Sequence, residues 1–266
     1  MYTFSEEHKI FLNKRKKKKI FISAMQILII LTFLIIWEVL AKNNLINTFL
    51  FSSPSRIINT IVSLYLDGQL FRHIGITLYE VLISFFIATG IGTFIATILW
   101  SNKVLAKIVD PYLTILNSLP KVALGPLIII WVGASINSII FMALTISTFV
   151  TILNIYNSFI SVNENYLIML KSFGASKWQI FKKVVFPSNY ENIISALKIN
   201  VSMSLIGVIM GELLVSKSGI GYLIMYGSQI FNIDLVISSV FILGIISYLM
   251  YLIIDKFETK LKNKRD

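Results

Sequence analysis

The sequence predicts an all-α polytopic membrane protein with six transmembrane helices, on the evidence of its composition, its long apolar runs and the placement of its basic residues. Of its 266 residues, 56% are hydrophobic and only 14% are charged, and the mean hydropathy is +0.80. Soluble domains contain about 25% charged and about 45–50% apolar residues. The excess of apolar side chains therefore needs a lipid environment.

Six apolar segments reach or approach the roughly 20 residues that cross a hydrocarbon core as a helix. They are predicted as spans at approximately residues 20–41, 74–100, 108–132, 138–156, 193–215 and 235–254. The first run is longer than the apolar region of a signal peptide and no small-residue cleavage site follows it, so we interpret it as an uncleaved span. A short helix at the membrane surface is expected near residues 61–70.

The basic residues orient these spans. A basic segment (residues 1–19) precedes the first span, and a basic tail (residues 256–266) follows the last one. With six spans, the two termini and the even-numbered connections carry roughly four times as many Lys and Arg residues as the opposite side. This predicts that both termini are cytoplasmic. The net charge of +11 comes from blocks beside apolar runs, which favours a topology signal over nucleic-acid binding.

The second and third spans have features that are unusual for a simple membrane helix. In the second span, Gly90 and Gly92 form a stripe of small residues with Ala88 and Ala96, which predicts close helix packing. The third span contains three prolines and one lysine: Pro111, Pro120, Pro126 and Lys121. Because proline removes a backbone donor and kinks a helix, this span is expected to be broken and to face protein or an aqueous path.

Motifs of known catalytic sites are absent from the sequence. It contains no G-x-x-x-x-G-K-[ST] loop, no G-x-S-x-G and no H-E-x-x-H. The two histidines, His8 and His73, are far apart in the chain, and there is no cysteine. We therefore expect no catalytic residues, no metal site and no cofactor, so the energy for any uphill transport must come from another protein.

Residues 163–188, called the elbow below, form a polar and basic segment between the fourth and fifth spans. The first half predicts a short helix with an apolar stripe: Tyr166, Leu167, Leu170 and Phe173. Gly174 is typical of a helix end, and Ser176-x-x-Gln179 predicts a capping box for a second helix. That helix is expected to have an apolar face of Trp178, Phe181 and Val185 and to end at Pro187. Another capping box, Ser188-x-x-Glu191, is expected to begin the fifth span.

An amphipathic hairpin of this kind is compatible with lying on anionic lipid or with docking a partner protein. Gly174, nine intervening residues and then Val184-Val185-Phe186-Pro187 resemble the EAA motif of permease subunits of ATP-binding-cassette (ABC) importers. The initial E-A-A falls on Ile168-Met169-Leu170, so the acidic residue of the motif is absent. Glu164, one turn earlier, is a candidate to replace it.

Further segments resemble the nitrate/sulfonate/taurine branch of these permeases, in the right order over roughly residues 20–255. They are Phe51-Ser52-Ser53-Pro54-Ser55, the segment from Leu119 to Leu127, Trp131-x-Gly133, Gly211-Glu212-Leu213 and the segment from Ser218 to Leu223. The resemblance implies a plasma-membrane homodimer with cytoplasmic ABC ATPase subunits, which bind ATP, and an external substrate-binding protein. It also implies that the elbow couples to the ATPase through these residues: Glu164, Leu170, Gly174, Ala175, Ser176, Trp178, Phe181, Val184 and Pro187.

Ionisable and helix-breaking residues inside the spans are the pore or gate candidates, since charged groups in hydrocarbon are costly: Lys121, Pro120, Glu212 and Glu80. Three interpretations of Lys121 are open. It contacts an anionic solute, it forms an ion pair with Glu212 or Glu80, or its side chain extends to the membrane–water interface. The solute class is a sulfonate, taurine or nitrate-like anion, with a thiamine-precursor pyrimidine or a riboflavin-like solute as the alternative. A secondary carrier or an intramembrane enzyme is less favoured, because neither repeated half-structures nor a polar catalytic set is found.

Overall fold

The computed structural model describes residues 6–262, and its regular secondary structure over that range is helical. Five helices are long and apolar enough to cross a membrane: Phe11–Lys42, Gln69–Ser101, Ile136–Ile160, Tyr190–Val215 and Ile233–Lys260. A sixth candidate is a bent pair of helices, Lys103–Ser118 and Lys121–Val132. The all-α, six-span fold class is thereby confirmed. Residues 1–5 and 263–266, at the ends of the two predicted basic segments, lie outside the described range.

The described residues up to 63 form one compact unit. Helix α1 (Glu6–Lys42) continues through the run of basic residues, because Lys and Arg have helix propensities close to that of Leu. Near its end, Glu38 accepts a hydrogen bond from the Ser55 N–H (3.0 Å) and pairs with Lys42 (3.3 Å). After α2 (Thr48–Phe51), helix α3 (Pro54–Leu66) extends past residue 63. The surface helix expected near 61–70 therefore begins earlier, since proline suits a first helical position.

The described residues from 64 onwards form the second unit, which is centred on three helices. They are α4 (Gln69–Ser101), α7 (Ile136–Ile160) and α11 (Tyr190–Val215). Helix α11 approaches α7 so closely at Gly207 that an added Cβ would lie 2.4 Å from the Ala143 Cα. At Gly92 of α4, a Cβ would lie 2.6 Å from the Thr151 Cγ2. The predicted packing stripe is confirmed for Gly92, Ala88 and Ala96, which are buried, whereas Gly90 is exposed.

The third span is broken, as predicted. Helix α5 (Lys103–Ser118) and the segment from Lys121 to Val132, which contains α6 (Gly125–Val132), meet at an angle of 83°. Only Pro120 lies at the bend. Pro111 is inside α5, and Pro126 occupies the first turn of α6, where a missing N–H costs little. The span also begins earlier than expected, because the Asn102 side chain caps the start of α5.

Two connections differ from the sequence prediction. The segment between the last two spans contains a helix, α12 (Ile220–Gln229), which packs against α13 (Ile233–Lys262). The capping box expected at Ser188-x-x-Glu191 is not formed, because α11 begins after Asn189 and the Ser188 hydroxyl donates to the Val184 carbonyl (2.6 Å). A serine within helical backbone often donates its hydroxyl to the carbonyl four residues earlier in this way.

An ion-pair cluster joins α11 to α13. The Lys198 ammonium lies 2.6 Å from Asp255 Oδ1 and 2.5 Å from Glu258 Oε2. The same group is 5.0 Å from the centre of the Tyr251 ring. These contacts neutralise a lysine within a membrane span and fix the packing of the two helices.

Candidate functional site

The elbow contains the two short helices that the sequence predicts. Helix α8 (Glu164–Ser172) begins at Asn163, whose side chain accepts from the Asn165 N–H (2.9 Å). Gly174 has a φ of +77°, and the Ala175 N–H that follows donates to the Leu170 carbonyl (3.0 Å). This left-handed glycine allows the chain to reverse after α8.

The second helix of the elbow is capped as predicted. The Ser176 N–H donates to Gln179 Oε1 (2.7 Å), and the Gln179 N–H donates to Ser176 Oγ (3.3 Å). After α9 (Lys177–Ile180), the backbone widens into a π-helical turn (Phe181–Val185) and continues as α10 (Phe186–Ser188). Pro187 is therefore inside the last short helix rather than at its end. A proline at this position is tolerated because the wider turn changes the local hydrogen-bond pattern.

The expected apolar face of the second helix is divided between two directions. Phe181 is buried, with its ring centre 5.1 Å from that of Trp100 in α4 and 5.2 Å from that of Phe159 in α7. Val185 is buried in the same cluster. Trp178 stacks on the outer side of Phe181 at 5.4 Å and remains 64% exposed. One aromatic cluster thus connects the surface of the elbow with two membrane helices.

The elbow also presents an apolar surface that nothing in the described part of the chain covers. Its exposed large side chains are Tyr166, Ile168, Met169, Phe173, Trp178 and Phe186, with Phe173 80% exposed. Several exposed large apolar side chains in one short polar segment are typical of a site of interaction. Other residues of the elbow are also predicted to couple the permease to the ATPase. Of these, Glu164, Gly174 and Ser176 are exposed. Leu170, Ala175 and Val184 are partly buried against the cluster that contains Phe181.

At the opposite end of the unit, Glu212 is at the centre of a buried polar network. Its carboxylate is 1% exposed and accepts hydrogen bonds from the Thr77 hydroxyl (2.6 Å) and the Gly221 N–H (2.5 Å). The Thr77 oxygen accepts in turn from the Ile220 N–H (2.9 Å). A Cβ at either Gly219 or Gly221 would collide with the Glu212 side chain, so this loop requires small residues.

Two members of this network, His73 and Thr77, were not predicted from the sequence. His73 Nδ1 accepts from the Gly219 N–H (2.9 Å), and its Nε2 lies 3.2 Å from Gln69 Oε1. His73, Thr77 and Glu80 are spaced i, i+4 and i+7 in an otherwise apolar span, which places them on one helix face. That polar stripe was the available signal.

The other pore candidates are placed as follows. Glu80 is 1% exposed and lies beside Glu212. Lys121 lies just after the bend at Pro120, where its ammonium donates to Asn117 Oδ1 (3.0 Å) and sits 5.8 Å from the Phe149 ring centre. The ion pair of Lys121 with Glu212 or Glu80, one of the predicted alternatives, is therefore not formed, because both carboxyl groups are bound within their own network. The described residues contain no group of three or more potential metal ligands.

Comparison with solved structures identifies the class of protein to which this fold belongs. The chain is similar to a subunit of the MetNI methionine ABC transporter in an inward-facing conformation, with a TM-score of 0.66 and 20% identity over 73% of this chain and 97% of that one. It is also similar to a chain of a bacterial ABC transporter involved in alginate import, with a TM-score of 0.64 and 17% identity over 94% and 98% of the two chains. The fold is that of an ABC importer permease.

Relatives of known sequence extend this likeness. The putative aliphatic sulfonates transport permease protein of Bacillus subtilis is 26% identical over 87% of this chain and 84% of its own length. The formylaminopyrimidine transport permease protein of Halalkalibacterium halodurans is 27% identical over 87% and 92%. The taurine transport system permease protein of Escherichia coli is 21% identical over 82% of each chain.

The family model for the binding-protein-dependent transport system inner membrane component matches residues 88–264. This chain belongs to that family, and it is the permease subunit of an ABC importer. It is a multi-pass membrane protein.

Proposed function

We propose that two copies of this chain form one pore in the plasma membrane, with both termini of each copy in the cytoplasm. The observation that carries the proposal is the exposed apolar surface of the elbow, which lies above an aromatic cluster that reaches α4 and α7. Each elbow docks a cytoplasmic ABC ATPase subunit, which binds and hydrolyses ATP. The permease itself has no catalytic residues and needs no cofactor. An external binding protein delivers the solute to the opposite end.

The position of Phe181 supports a mechanical role for the elbow. When ATP closes the two ATPase subunits, the elbows follow them. Because Phe181 packs against Trp100 and Phe159, movement of the elbow is carried to the ends of α4 and α7. ATP binds the closed ATPase dimer more tightly than the open one, so its binding also shifts the pore from one conformation to the other.

Glu164 is at the start of α8. It supplies the acidic side chain that the motif has at the position of Ile168.

The bent third span supports a pore between two copies. Ile130 and Trp131 of α6 are more than 70% exposed in the single chain. The irregular backbone at Pro120 needs cover, since such backbone at membrane depth is tolerated only when it is buried in protein or lines a cavity. A second copy supplies this cover, and the pairs of Pro120 and Lys121 then face the shared axis.

The solute is proposed to be a small sulfonate-bearing or similar anion. Lys121 contacts Asn117 and the Phe149 ring but no acidic side chain among the described residues, so it can attract an anion in the pore. A formylaminopyrimidine-like solute is the second candidate, because the relative with that printed substrate is as similar to this chain as the sulfonate permease is.

The coupling role is tested with Gly174→Val. Valine at a φ of +77° is strained, so the reversal after α8 is lost and the exposed surface is displaced. We expect ATP-driven uptake, and recovery of the ATPase with the purified permease, to fall by about tenfold or more, the effect of about 1.4 kcal/mol at a docking surface. The matched control is Gly68→Val, which has the same strain (φ +69°) away from the elbow. If both variants retain uptake, or lose it equally, the coupling role is wrong.

A further inference from the structure

Helix α1 contains a run of six consecutive basic residues, Lys14 to Lys19. All six side chains are exposed. The sequence has no acidic residue between Glu7 and Glu38, so no neighbour along α1 neutralises the run. These charges predict the topology of the chain, but that role is complete once α1 has been inserted into the membrane. The finished protein keeps a concentrated positive charge that none of the functions described above uses.

The helical backbone determines how these charges are arranged. Six residues at 3.6 per turn cover more than one and a half turns, so their side chains point to all sides of α1. We call this group the cationic ring. The apolar run begins at Ile20, and α1 continues through the junction without a break. The cationic ring is therefore directly next to the part of the helix that crosses the hydrocarbon.

The opposite end of α1 has no such surplus of charge. Lys42, in the last turn, is paired with Glu38 at 3.3 Å. No other charged residue lies between Ile20 and Lys42, so that end of the helix carries no net charge. The two ends of one helix thus differ strongly in charge, and the neutral end offers an internal control.

The distance from the apolar run indicates the kind of partner. Lys16 to Lys19 lie within about 6 Å of Ile20 along the helix axis. This is about the thickness of one headgroup layer of a bilayer. Lysine side chains are long enough to extend their ammonium groups to phosphates at that depth. A nucleic acid fits this position less well, because lipid headgroups already surround that length of the helix.

We propose that the cationic ring binds anionic phospholipids, whose phosphate groups meet the Lys and Arg side chains on all sides of α1. Each Lys or Arg close to an anionic membrane surface strengthens the attraction by about fivefold. The bound lipids fix the depth of α1, because a shift of the helix along its axis would separate the ring from the phosphates. The site lies wholly within the first unit, and it does not depend on docking of an ATPase.

The test uses the full-length chain in vesicles made from equal parts of phosphatidylcholine and phosphatidylglycerol. A fluorophore is attached at Asn13→Cys, next to the cationic ring, or at Asn43→Cys, at the opposite end of α1; both positions are exposed, and the chain has no native cysteine. Spin-labelled phosphatidylglycerol or phosphatidylcholine then quenches the fluorophore by contact. Both leaflets have the same composition, so the result is independent of the orientation of the protein.

We expect the two labelled positions to differ in their response. At residue 13, half-quenching should need a mole fraction of the anionic lipid that is lower than that of the zwitterionic lipid by about fivefold or more. At residue 43, the two lipids should quench equally. Salt at about 1 M shortens the Debye length to about 3 Å and should remove the preference at residue 13.

Variants of the cationic ring show whether its charge is the cause. The triple change Lys16→Gln, Lys17→Gln and Lys18→Gln should reduce the preference at residue 13, since glutamine has a helix propensity close to that of lysine but no charge. The triple change Lys16→Arg, Lys17→Arg and Lys18→Arg should retain it. As a matched control, three exposed lysines of other helices are replaced together, which should leave the preference unchanged: Lys103→Gln, Lys256→Gln and Lys260→Gln.

Three results would overturn the proposal. They are equal quenching by the two lipids at residue 13, a preference that persists in high salt, and a preference that an added RNA oligonucleotide abolishes. In the last case the cationic ring is a nucleic-acid site instead. If the glutamine variant is not inserted into the membrane, the salt series and the arginine variant decide, since both use a chain that keeps all six charges.

Discussion

Glu212 fixes the end of the second unit opposite the elbow, because its carboxylate binds groups from separate parts of the chain. It holds the Thr77 hydroxyl from α4 and the Gly221 N–H from the start of α12. The unpaired N–H groups at a helix start favour a negative charge nearby. A buried carboxylate therefore replaces the capping side chain that α12 lacks.

Thr77→Val tests this arrangement at a single residue. Valine has nearly the volume of threonine but leaves both the Glu212 carboxylate and the Ile220 N–H without their partner. We expect the free energy of unfolding to fall by about 1–3 kcal/mol, the usual cost of a buried group left unsatisfied. Chemical denaturation of the purified permease in detergent measures the change.

Thr97→Val is the control for that variant. The Thr97 hydroxyl donates only to the Thr93 carbonyl of its own helix, which already accepts a backbone bond. Its loss should change the free energy of unfolding by no more than about 0.5 kcal/mol. Equal effects of the two substitutions would contradict a special role for the Glu212 network.

The sequence indicated Glu212 and Glu80 as important, because carboxyl groups are rare in membrane spans. It did not indicate their partners. The bonds to Glu212 come from residues 135 positions away in α4 and 9 positions away at the start of α12. Hydropathy measures one segment at a time, so it cannot specify which polar faces meet. For the same reason, the sequence left open whether Lys121 pairs with these carboxyl groups; in the structure it contacts Asn117 instead.

At the scale of elements, the elbow shows what local patterns do predict. The end of α8 at Gly174 and the Ser176 capping box depend on residues a few positions apart, and both are confirmed. The π-helical turn and the continuation through Pro187 were missed. They depend on burying Phe181 and Val185 against α4 and α7, which is a tertiary effect.

Comparing Phe181→Ala with Trp178→Ala separates transmission from docking. Phe181→Ala removes a buried ring from the cluster, and we expect it to reduce the free energy of unfolding by about 3–5 kcal/mol. Trp178→Ala removes an exposed ring, so stability should change by only about 0.5 kcal/mol, while affinity for the ATPase falls. Thermal unfolding and ATPase co-purification of each variant measure the two effects.

Phe181→Leu changes the same buried side chain and is expected to fold more readily than Phe181→Ala. It keeps an apolar side chain but loses the ring contacts with Trp100 and Phe159. If transmission runs through this cluster, Phe181→Leu should bind the ATPase normally yet show ATP hydrolysis with reduced uptake. Normal uptake by this variant would argue against the aromatic connection.

At the scale of the whole molecule, the second unit has two distinct ends. The connection before α7 and the segment after α11 line one cavity together, so they lie at the same end. The elbow packs with Trp100, near the end of α4, at the other. The six predicted spans place successive connections at alternate ends, because each crossing reverses the direction of the chain. The bend of the third span leaves this placement unchanged, since its two helices together count as one crossing.

The basic residues predict the orientation of these two ends in the membrane, and it can be measured directly. The chain has no cysteine, so single cysteines can be introduced without removing native ones. Asn137 lies in the first turn of α7 and Ser172 lies in the elbow, and both positions are exposed. Because Lys and Arg are retained in the cytoplasm, we expect a membrane-impermeant maleimide to label Asn137→Cys in intact cells and Ser172→Cys only after permeabilisation. Lys260→Cys, in the basic tail, should behave like Ser172→Cys. Labelling of the elbow in intact cells would reverse the orientation, and it would also exclude docking to a cytoplasmic ATPase, because the elbow would then face away from it.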